Sequence, residues 1–534
     1  MALATQQKAL GAFYTSEPVA RYLVDWAVRG SADTVMDPSC GSGVFVSAAE
    51  EALRRLGARK PQVWGIDVDQ RALHATRQVA PFATLCHKDF FTIKRGEVPF
   101  FSAVVGNPPF IRYQTFNGSR RSEALDRARE AGIELPQLSS SWAPFVVHSS
   151  GFLEQGGRLG MVIPVELAHA KYATGVLRLL TRKFGRITVK LFKRKLFPEL
   201  SEDTLLLLCD EYGNPCSWFG VSPVESIHEI RETDGVSVPA DIDAIRSGRF
   251  RLTRYLLSRR ALHLYEGLSQ QEGVARLGAA ADVGIGYVTG CNDYFHLSFP
   301  ETKKWKIKAS FLKKALPTLG EFDGIAFGLR DWRRNKDAGK KVFLFSPAIS
   351  GDRTGPEDIR SYIRFGEGLG IHRHFKCRVR QPWYVVPHVR IADAFLSYMS
   401  GGGPKLVANV AHVVAPNTLH IVRFFPPHRT KKWVAGWYTS LTRLSCELEG
   451  HPLGGGMLKL EPSEAERVLV ALPNNADVAA LYKQTDGLLR DVSVSQAADL
   501  LDAAILRGRY GLSGTECTTL RDAARQLETW RMHR

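Results

Sequence analysis

Paired cysteines, long apolar runs and an excess of acid are all missing from this sequence. Its eight cysteines, at 40, 86, 209, 216, 291, 377, 446 and 517, include no CxxC pair, which argues against a disulfide framework and a zinc knuckle and for a reducing cytoplasm. No stretch approaches the roughly 18 apolar residues of a membrane span. The opening MALATQQKALGAFYTSEP lacks the long apolar core of a signal peptide, so a non-exported protein with no membrane contact is expected. Repeats and low-complexity tracts are lacking too, which excludes collagen, coiled coil and mucin. Acid is in deficit: 71 Lys+Arg face 54 Asp+Glu, a net charge of +17. Neutralising phosphates releases condensed counterions, so charge alone supports a nucleic-acid partner about as well as a solvated basic surface. The 534 residues, 44% of them hydrophobic, suffice for two or three domains with buried cores.

From residue 30 to 110, short apolar runs alternate with helical stretches. TVMDP (34–38), QVWGID (62–67), ATLCH (83–87) and SAVVGN (102–107) read as strands, with helices over 47–57 and 69–78. GGRLGMVIP (156–164) adds a fifth strand. This order implies βαβ units, hence an α/β fold with a doubly wound, mostly parallel, seven-stranded Rossmann-like sheet. ITVKLFKRKLF (187–197) and DTLLLLCDEYG (203–213) are separated by a short turn and read as an antiparallel pair at the sheet edge. Beyond about 215 the period changes to short mixed segments rich in Trp, Tyr, Lys and Arg, and helices return after about 476. The expected division is a catalytic domain over 1–225, a mixed α+β recognition domain over 226–475 and a helical segment over 476–534.

Neither GxGxxG nor GxxxxGK[ST] occurs after the first strand, which disfavours a pyrophosphate ligand. The strand instead runs into Asp37-Pro38-Ser39-Cys40-Gly41-Ser42-Gly43. In a doubly wound fold that turn lies at the ligand-binding switch point, where glycines admit a ligand and Asp37 can hold an ammonium group. Asp67, ending the second strand, can accept from ribose hydroxyls. Asp89, after the third, can accept from an adenine amine, with Phe90 against the ring. Any one of them could be an ordinary loop aspartate. Three carboxylates after three successive strands describe a pocket for adenosine with a charged amino-acid tail, which is S-adenosylmethionine.

Asn107-Pro108-Pro109-Phe110 ends the fourth strand. An exocyclic base nitrogen is a poor nucleophile because its lone pair is delocalised into the ring. The Asn107 side-chain oxygen and the Pro108 carbonyl can accept its two N–H bonds and redirect that lone pair. The prolines stiffen the loop, and Phe110 can stack on a base taken out of the helix. Such chemistry rests on preorganised acceptors and needs no metal. His372, His374 and Cys377 have no neighbours to complete a metal site, and none is expected.

With these motifs in this order, the sequence resembles the γ-type N6-adenine DNA methyltransferases of restriction-modification systems over most of its length. Phe13-Tyr14-Thr15 matches the family's FYTP-like element, with Ser16 where proline is usual. The resemblance implies cofactor contacts at Tyr14, Thr15, Asp37, Gly41, Gly43, Asp67, Asp89 and Phe90. It implies catalysis by Asn107, Pro108, Pro109 and Phe110, and a second aromatic against the extruded adenine at Phe197, in Phe197-Pro198.

The second half resembles the family's target-recognition region in YVTGCNDYF (287–295), RQPWYVVP (380–387), NTLH (417–420) and GGGMLKLEP (454–462). The stretch 371–390 carries Arg378, Arg380, Trp383 and Tyr384 without an acid, and 182–195 carries seven basic residues, Lys193, Arg194 and Lys195 among them. Both are candidate DNA contacts, and both are equally readable as solvated faces.

No PD-(D/E)xK-like carboxylate and lysine set is found. The resemblance implies a cytoplasmic, prokaryotic, nucleoid-associated enzyme, a monomer acting on double-stranded DNA and paired with a separate restriction endonuclease, or an orphan regulatory methylase. The rivals are methylation of RNA or of a protein glutamine, since NPPF suits any planar NH₂ group, and an inactive DNA-binding homologue.

Overall fold

A computed structural model describes residues 15–111, 115–194, 196, 203–231, 237–248, 251–320, 322–347, 357–425, 429–453, 455–491 and 493–532. The chain divides into two compact units, Met1–Leu256 and Leu257–Met532.

The first unit is built on β1 (Thr34–Asp37), β2 (Gln62–Asp67), β3 (Thr84–His87), β4 (Phe101–Gly106), β5 (Leu153–Pro164), β6 (Phe184–Phe192), β7 (Thr204–Tyr212), β8 (Trp218–Val224) and β9 (Val238–Pro239). They form one sheet in the order β3-β2-β1-β4-β5-β7-β6-β8-β9. β1 pairs in parallel with both β2 and β4, so the direction of winding reverses between β1 and β4. The loops leaving those two strands therefore flank one crevice, the position where doubly wound sheets bind ligands. β4 is buried along its whole length, as expected of a central parallel strand, with Ser102 satisfied by the Thr34 amide at 3.1 Å.

The mostly parallel Rossmann-like sheet agrees with the sequence reading, but it has nine strands instead of seven. The antiparallel β6–β7 pair forms as expected. It is not at the edge: β7 inserts between β5 and β6, antiparallel to both. Its LLLL run is buried on both faces, which an edge strand would not allow. An antiparallel edge strand does exist, the two-residue β9 on β8.

Helices α1 (Glu17–Ala27), α2 (Val44–Arg55), α3 (Gln70–Val79), α4 (Gly118–Glu130), α5 (Trp142–Ser149), α6 (Ala173–Lys183) and α7 (Ile242–Ser247) flank this sheet. α3 starts where the Asp69 side chain accepts from the Arg71 amide, and α7 where Asp241 accepts from Asp243 and Ala244. β9 and α7 continue the first unit beyond residue 225. α7 is tied to α6 by the Arg246 guanidinium on the Thr181 carbonyl at 3.1 Å, and the division falls at 256/257.

In the second unit, Ala281–Ile285, Leu419–Phe424, Ala394–Ser397, Leu406–Asn409 and Ala326–Phe327 make a five-stranded sheet. It packs on an apolar core that includes Leu396, Leu406, Val422, Trp433 and Trp437. A second cluster gathers Tyr287, Tyr294, Phe295, Phe345 and Tyr362. The helices Val478–Asp491, Val494–Leu501 and Gly514–Met532 belong to this unit instead of standing apart. Arg531, 2% exposed, reaches Glu447 at 2.8 Å. No helix among the described residues is long and apolar enough to cross a membrane.

Candidate active site

The turn after β1 is shaped by glycine. Gly43 has φ +90° and immediately precedes α2, and a Cβ there would meet Thr76 of α3 at 2.8 Å, so neither its backbone conformation nor its packing tolerates a side chain. Gly41 has φ +50° and open space beyond its Cα. The Thr76 hydroxyl donates to the Gly41 carbonyl at 2.8 Å, and the Gly41 amide donates to Asp67 Oδ2 at 2.8 Å. Asp67 Oδ1 accepts from the Asp69 amide at 2.8 Å. Asp67 thus anchors the glycine turn as well as lining the crevice.

Asp37 is 1% exposed. Its Oδ1 accepts from the Ser39 amide at 3.0 Å, while Oδ2 has no hydrogen-bond partner among the described residues. Burial, reinforced by the nearby Asp67 charge and only partly opposed by the Ser39 amide, pushes its pKa up to about 8. A buried carboxylate left half-satisfied is costly unless a cation or donor completes it. Gly106, ending β4, makes room for it, since a Cβ there would lie 2.7 Å from Asp37 Oδ1.

The 107–110 loop is fixed at several points. Asn107 Nδ2 donates to Thr15 Oγ1 at 3.1 Å. Ser39 Oγ donates to the Asn107 carbonyl at 3.1 Å. Ser141, wholly buried at the start of α5, accepts from the Ile111 amide at 2.8 Å and donates to the Pro109 carbonyl. Next to it the Trp142 indole donates to Glu166 Oε2 and to the Tyr172 hydroxyl, both at 2.9 Å. Ser39, Gly106 and Ser141 were not singled out in the sequence, where Ser141 shows only as the last residue of an SSS run before Trp142.

The crevice brings together Thr15, Asp37, Gly41, Gly43, Asp67 and Asn107 to Phe110. Asp89 comes after β3 as expected, but its carboxylate is engaged by the Phe91 amide at 3.1 Å and by Arg120 at 2.7 Å. Phe90 does not present a face to a ligand. It is 3% exposed and enclosed by Phe145, His148 and Phe152, with ring centroids 4.6–5.3 Å away. The short helix after Asp89 turns the ring inward. Tyr14, Phe197 and Lys195 lie outside the described residues.

Comparison with known proteins bears on this geometry. Residues 2–178 match the family described as N-6 DNA Methylase, and residues 250–506 match the C-terminal domain of Type II methyltransferase M.Eco57I. This chain belongs to the DNA methyltransferases of restriction-modification systems. The methyltransferase is 20% identical to Type II methyltransferase M.AccI of Acinetobacter calcoaceticus, over 90% of its own length and 87% of the relative's. It is 24% identical to Type II methyltransferase M.XamI of Xanthomonas campestris pv. amaranthicola, over 86% and 85%. Its fold is shared by the type IIL restriction-modification enzyme MmeI, solved in complex with DNA, at a TM-score of 0.54 and 12% identity over 96% of this chain and 75% of that one.

The basic residues of the methyltransferase separate by environment. Arg380 donates to the Thr289 carbonyl at 2.7 Å and to the Val288 carbonyl, and burial lowers its pKa. It holds the 287–290 segment in place. Trp383 is half-buried against Tyr294 and Phe295, and Tyr384 packs edge-on to it at 5.8 Å. Arg378 is exposed, its guanidinium 5.3 Å from the ring of Phe375, which is itself 63% exposed. In the 182–195 run Lys190 is buried on the Ile230 carbonyl at 3.0 Å, Lys193 pairs with Glu225, and Arg194 is exposed. Lys190 thus lies within β6, and Lys193 and Arg194 just beyond its end.

Proposed function

We propose that this methyltransferase transfers a methyl group from S-adenosylmethionine to N6 of adenine in double-stranded DNA, and that it shields its own genome from a separate restriction endonuclease. The observation that carries the reading is the Asn107 amide, clamped through Thr15 and Ser39 beside the half-satisfied carboxylate of Asp37.

The residues present fit the cofactor. The bare Oδ2 of Asp37 suits its ammonium group, the space beside Gly41 admits its chain, and Asp67 at the end of β2 suits its ribose. When bound, S-adenosylmethionine supplies an electrophilic methyl on a sulfonium. The chain's own contribution is to the nucleophile. Asn107 Oδ1 and the Pro108 carbonyl accept the two N–H bonds of the adenine amine, favouring the pyramidal nitrogen whose lone pair points at the methyl carbon. An adenine swung out of the duplex stacks on Phe110 and Phe197. Arg378 and Arg194, both exposed, are the basic residues best placed for DNA phosphate.

Modification-sensitive sequencing of genomic DNA from an expressing host tests this. N6-methyladenine at a single sequence motif is expected. Methylation confined to cytosine, to RNA or to protein glutamine would overturn it.

A further inference from the structure

A second concavity lies in the first unit, at the opposite end of the sheet from Asn107. Phe152 immediately precedes β5, Lys183 immediately precedes β6, and Lys94 and Arg95 precede β4. These are the starts of mutually parallel strands, whereas Asp37, Asp67 and Asn107 stand at strand ends. The cavity measures about 470 Å³ and is lined by Lys94, Arg95, Arg127, Glu130, Lys183, His148 and an apolar wall that includes Val147 and Phe152.

Four of these side chains are cationic and one is acidic. Two of them have an ordinary structural explanation. Arg127, in the last turn of α4, donates to the Phe91 carbonyl at 3.0 Å and pairs with Glu130 at 2.5 Å, which occupies the one carboxylate. His148 bridges the Phe90 and Ile93 carbonyls at 3.2 and 3.1 Å, and burial lowers its pKa to about 4, so it stays neutral.

Lys183 and Arg95 remain. Among the described residues neither side chain makes an ion pair or hydrogen bond. Burial and the Arg95 charge both lower the pKa of Lys183, and no carboxylate raises it. Arg95 lies flat against the chain at Gly151, where a Cβ would come within 3.1 Å of both Nε and Nη2. Placing a cation at the end of α6 is favourable to that helix. It does not account for Arg95, whose exposed guanidinium shares the cavity wall with the half-buried Lys183; an anion held in the cavity would neutralise both.

We propose that this cavity is a second ligand site, taking the phosphate group of a small phosphorylated molecule on Arg95, Lys183 and Lys94. Volume and lining favour a small ligand over a DNA strand. A pocket of several hundred Å³ with an apolar wall has the dimensions of a small-molecule site and leaves room for more than an oxyanion. The site is independent of the methyl-transfer reading, since no residue is shared.

Full-length protein titrated with inorganic phosphate and with ribose 5-phosphate, followed by calorimetry and phosphorus NMR, tests the proposal. Saturable binding is expected. Arg95→Gln and Lys183→Gln should each weaken it by about 10-fold, the usual worth of one charge-assisted hydrogen bond. Arg95→Lys, which keeps the charge, should retain most of it. Gly151→Ala, which displaces the Arg95 guanidinium, should weaken it like Arg95→Gln. Tighter binding of ribose 5-phosphate would identify an ester as the ligand, and equal affinities would identify the ion alone; either supports the site. No saturable binding by either probe, or binding indifferent to all these substitutions, would overturn it. So would variants that bind both probes normally but lose DNA affinity with a shallower salt dependence, since the cavity would then be a contact for the DNA backbone.

Discussion

Ser39 Oγ donates to the carbonyl of Asn107 at 3.1 Å, so the glycine turn that leaves β1 and the NPPF loop that leaves β4 are one hydrogen-bonded piece. With Ser141 gripping the far side of that loop, the acceptors proposed for the target amine are positioned by two serines. Ser141→Ala leaves a buried amide and a buried carbonyl unpaired, at a cost of about 1–3 kcal/mol. Single-turnover methylation should slow by roughly 10–100-fold on that basis, with affinity for S-adenosylhomocysteine preserved. Ser39→Ala should do less, removing one bond. An unchanged rate in Ser141→Ala would mean that the loop is rigid without it.

Asn107→Ala should lower the methylation rate by about 10²–10³, the usual effect of losing one preorganised transition-state contact, while cofactor and DNA binding persist. Asp67→Ala should act on binding instead. It also removes the acceptor for the Gly41 and Asp69 amides, so both cofactor affinity and melting temperature should fall. Calorimetry showing unchanged affinity in Asp67→Ala would remove it from the site.

Asp37 makes the stability of the ligand-free enzyme depend on pH in an unusual direction. Its folded-state pKa is pushed up to about 8 by burial and by Asp67, whereas an unfolded chain releases the proton near pH 4. Between those values the folded state holds the extra proton, so this residue's contribution to stability declines as pH rises through the window and levels off above it. Asp37→Asn should abolish that slope and weaken cofactor binding. Thermal melts of both proteins from pH 5 to 9 check it, and parallel curves would show that Asp37 does not titrate there.

Arg531 and Glu447, 2% and 3% exposed, form a buried ion pair between the last helix and the helix Ser440–Glu449. Burial raises the Glu447 pKa and Arg531 opposes the rise. Arg531→Ala should destabilise the fold by about 3–5 kcal/mol, because it strands a buried carboxylate. The double variant Arg531→Met with Glu447→Leu should recover most of that loss in a denaturant titration, and failure to recover would make the pair indispensable for packing.

Arg378 and Arg380 should separate. Arg380→Ala removes the ties to Val288 and Thr289 and should lower the melting temperature. Arg378→Ala should leave it unchanged and weaken DNA binding instead. If Arg378 contacts phosphate, the loss will be uniform across sequences, with a salt slope shallower by about one. If it reads a guanine, the cost of about 1–3 kcal/mol will fall on one base pair. Equal effects on DNA binding from both substitutions would show that Arg380 acts there too.

The sequence by itself determined the winding of the first unit and the strand ends that carry Asp37, Asp67 and Asn107. Those features are local: apolar runs of strand length, helix-period stretches between them, and glycines or prolines where each strand turns. It did not determine where β7 goes, because LLLL suits any strand buried on two faces and only its pairing with both β5 and β6 excludes the edge. Side-chain direction was likewise beyond it. Phe90 adjoins Asp89 in the chain yet points into the core. Arg380 and Arg378 are two residues apart, and one caps buried carbonyls while the other faces solvent. Ser141 reaches a loop 32 residues away in the chain, and Arg95 and Lys183 line one cavity although most of the sheet's length separates them. Such relationships arise only when distant segments pack, since burial and hydrogen-bond satisfaction decide which of several chemically equivalent residues is consumed by the fold and which is left for a ligand.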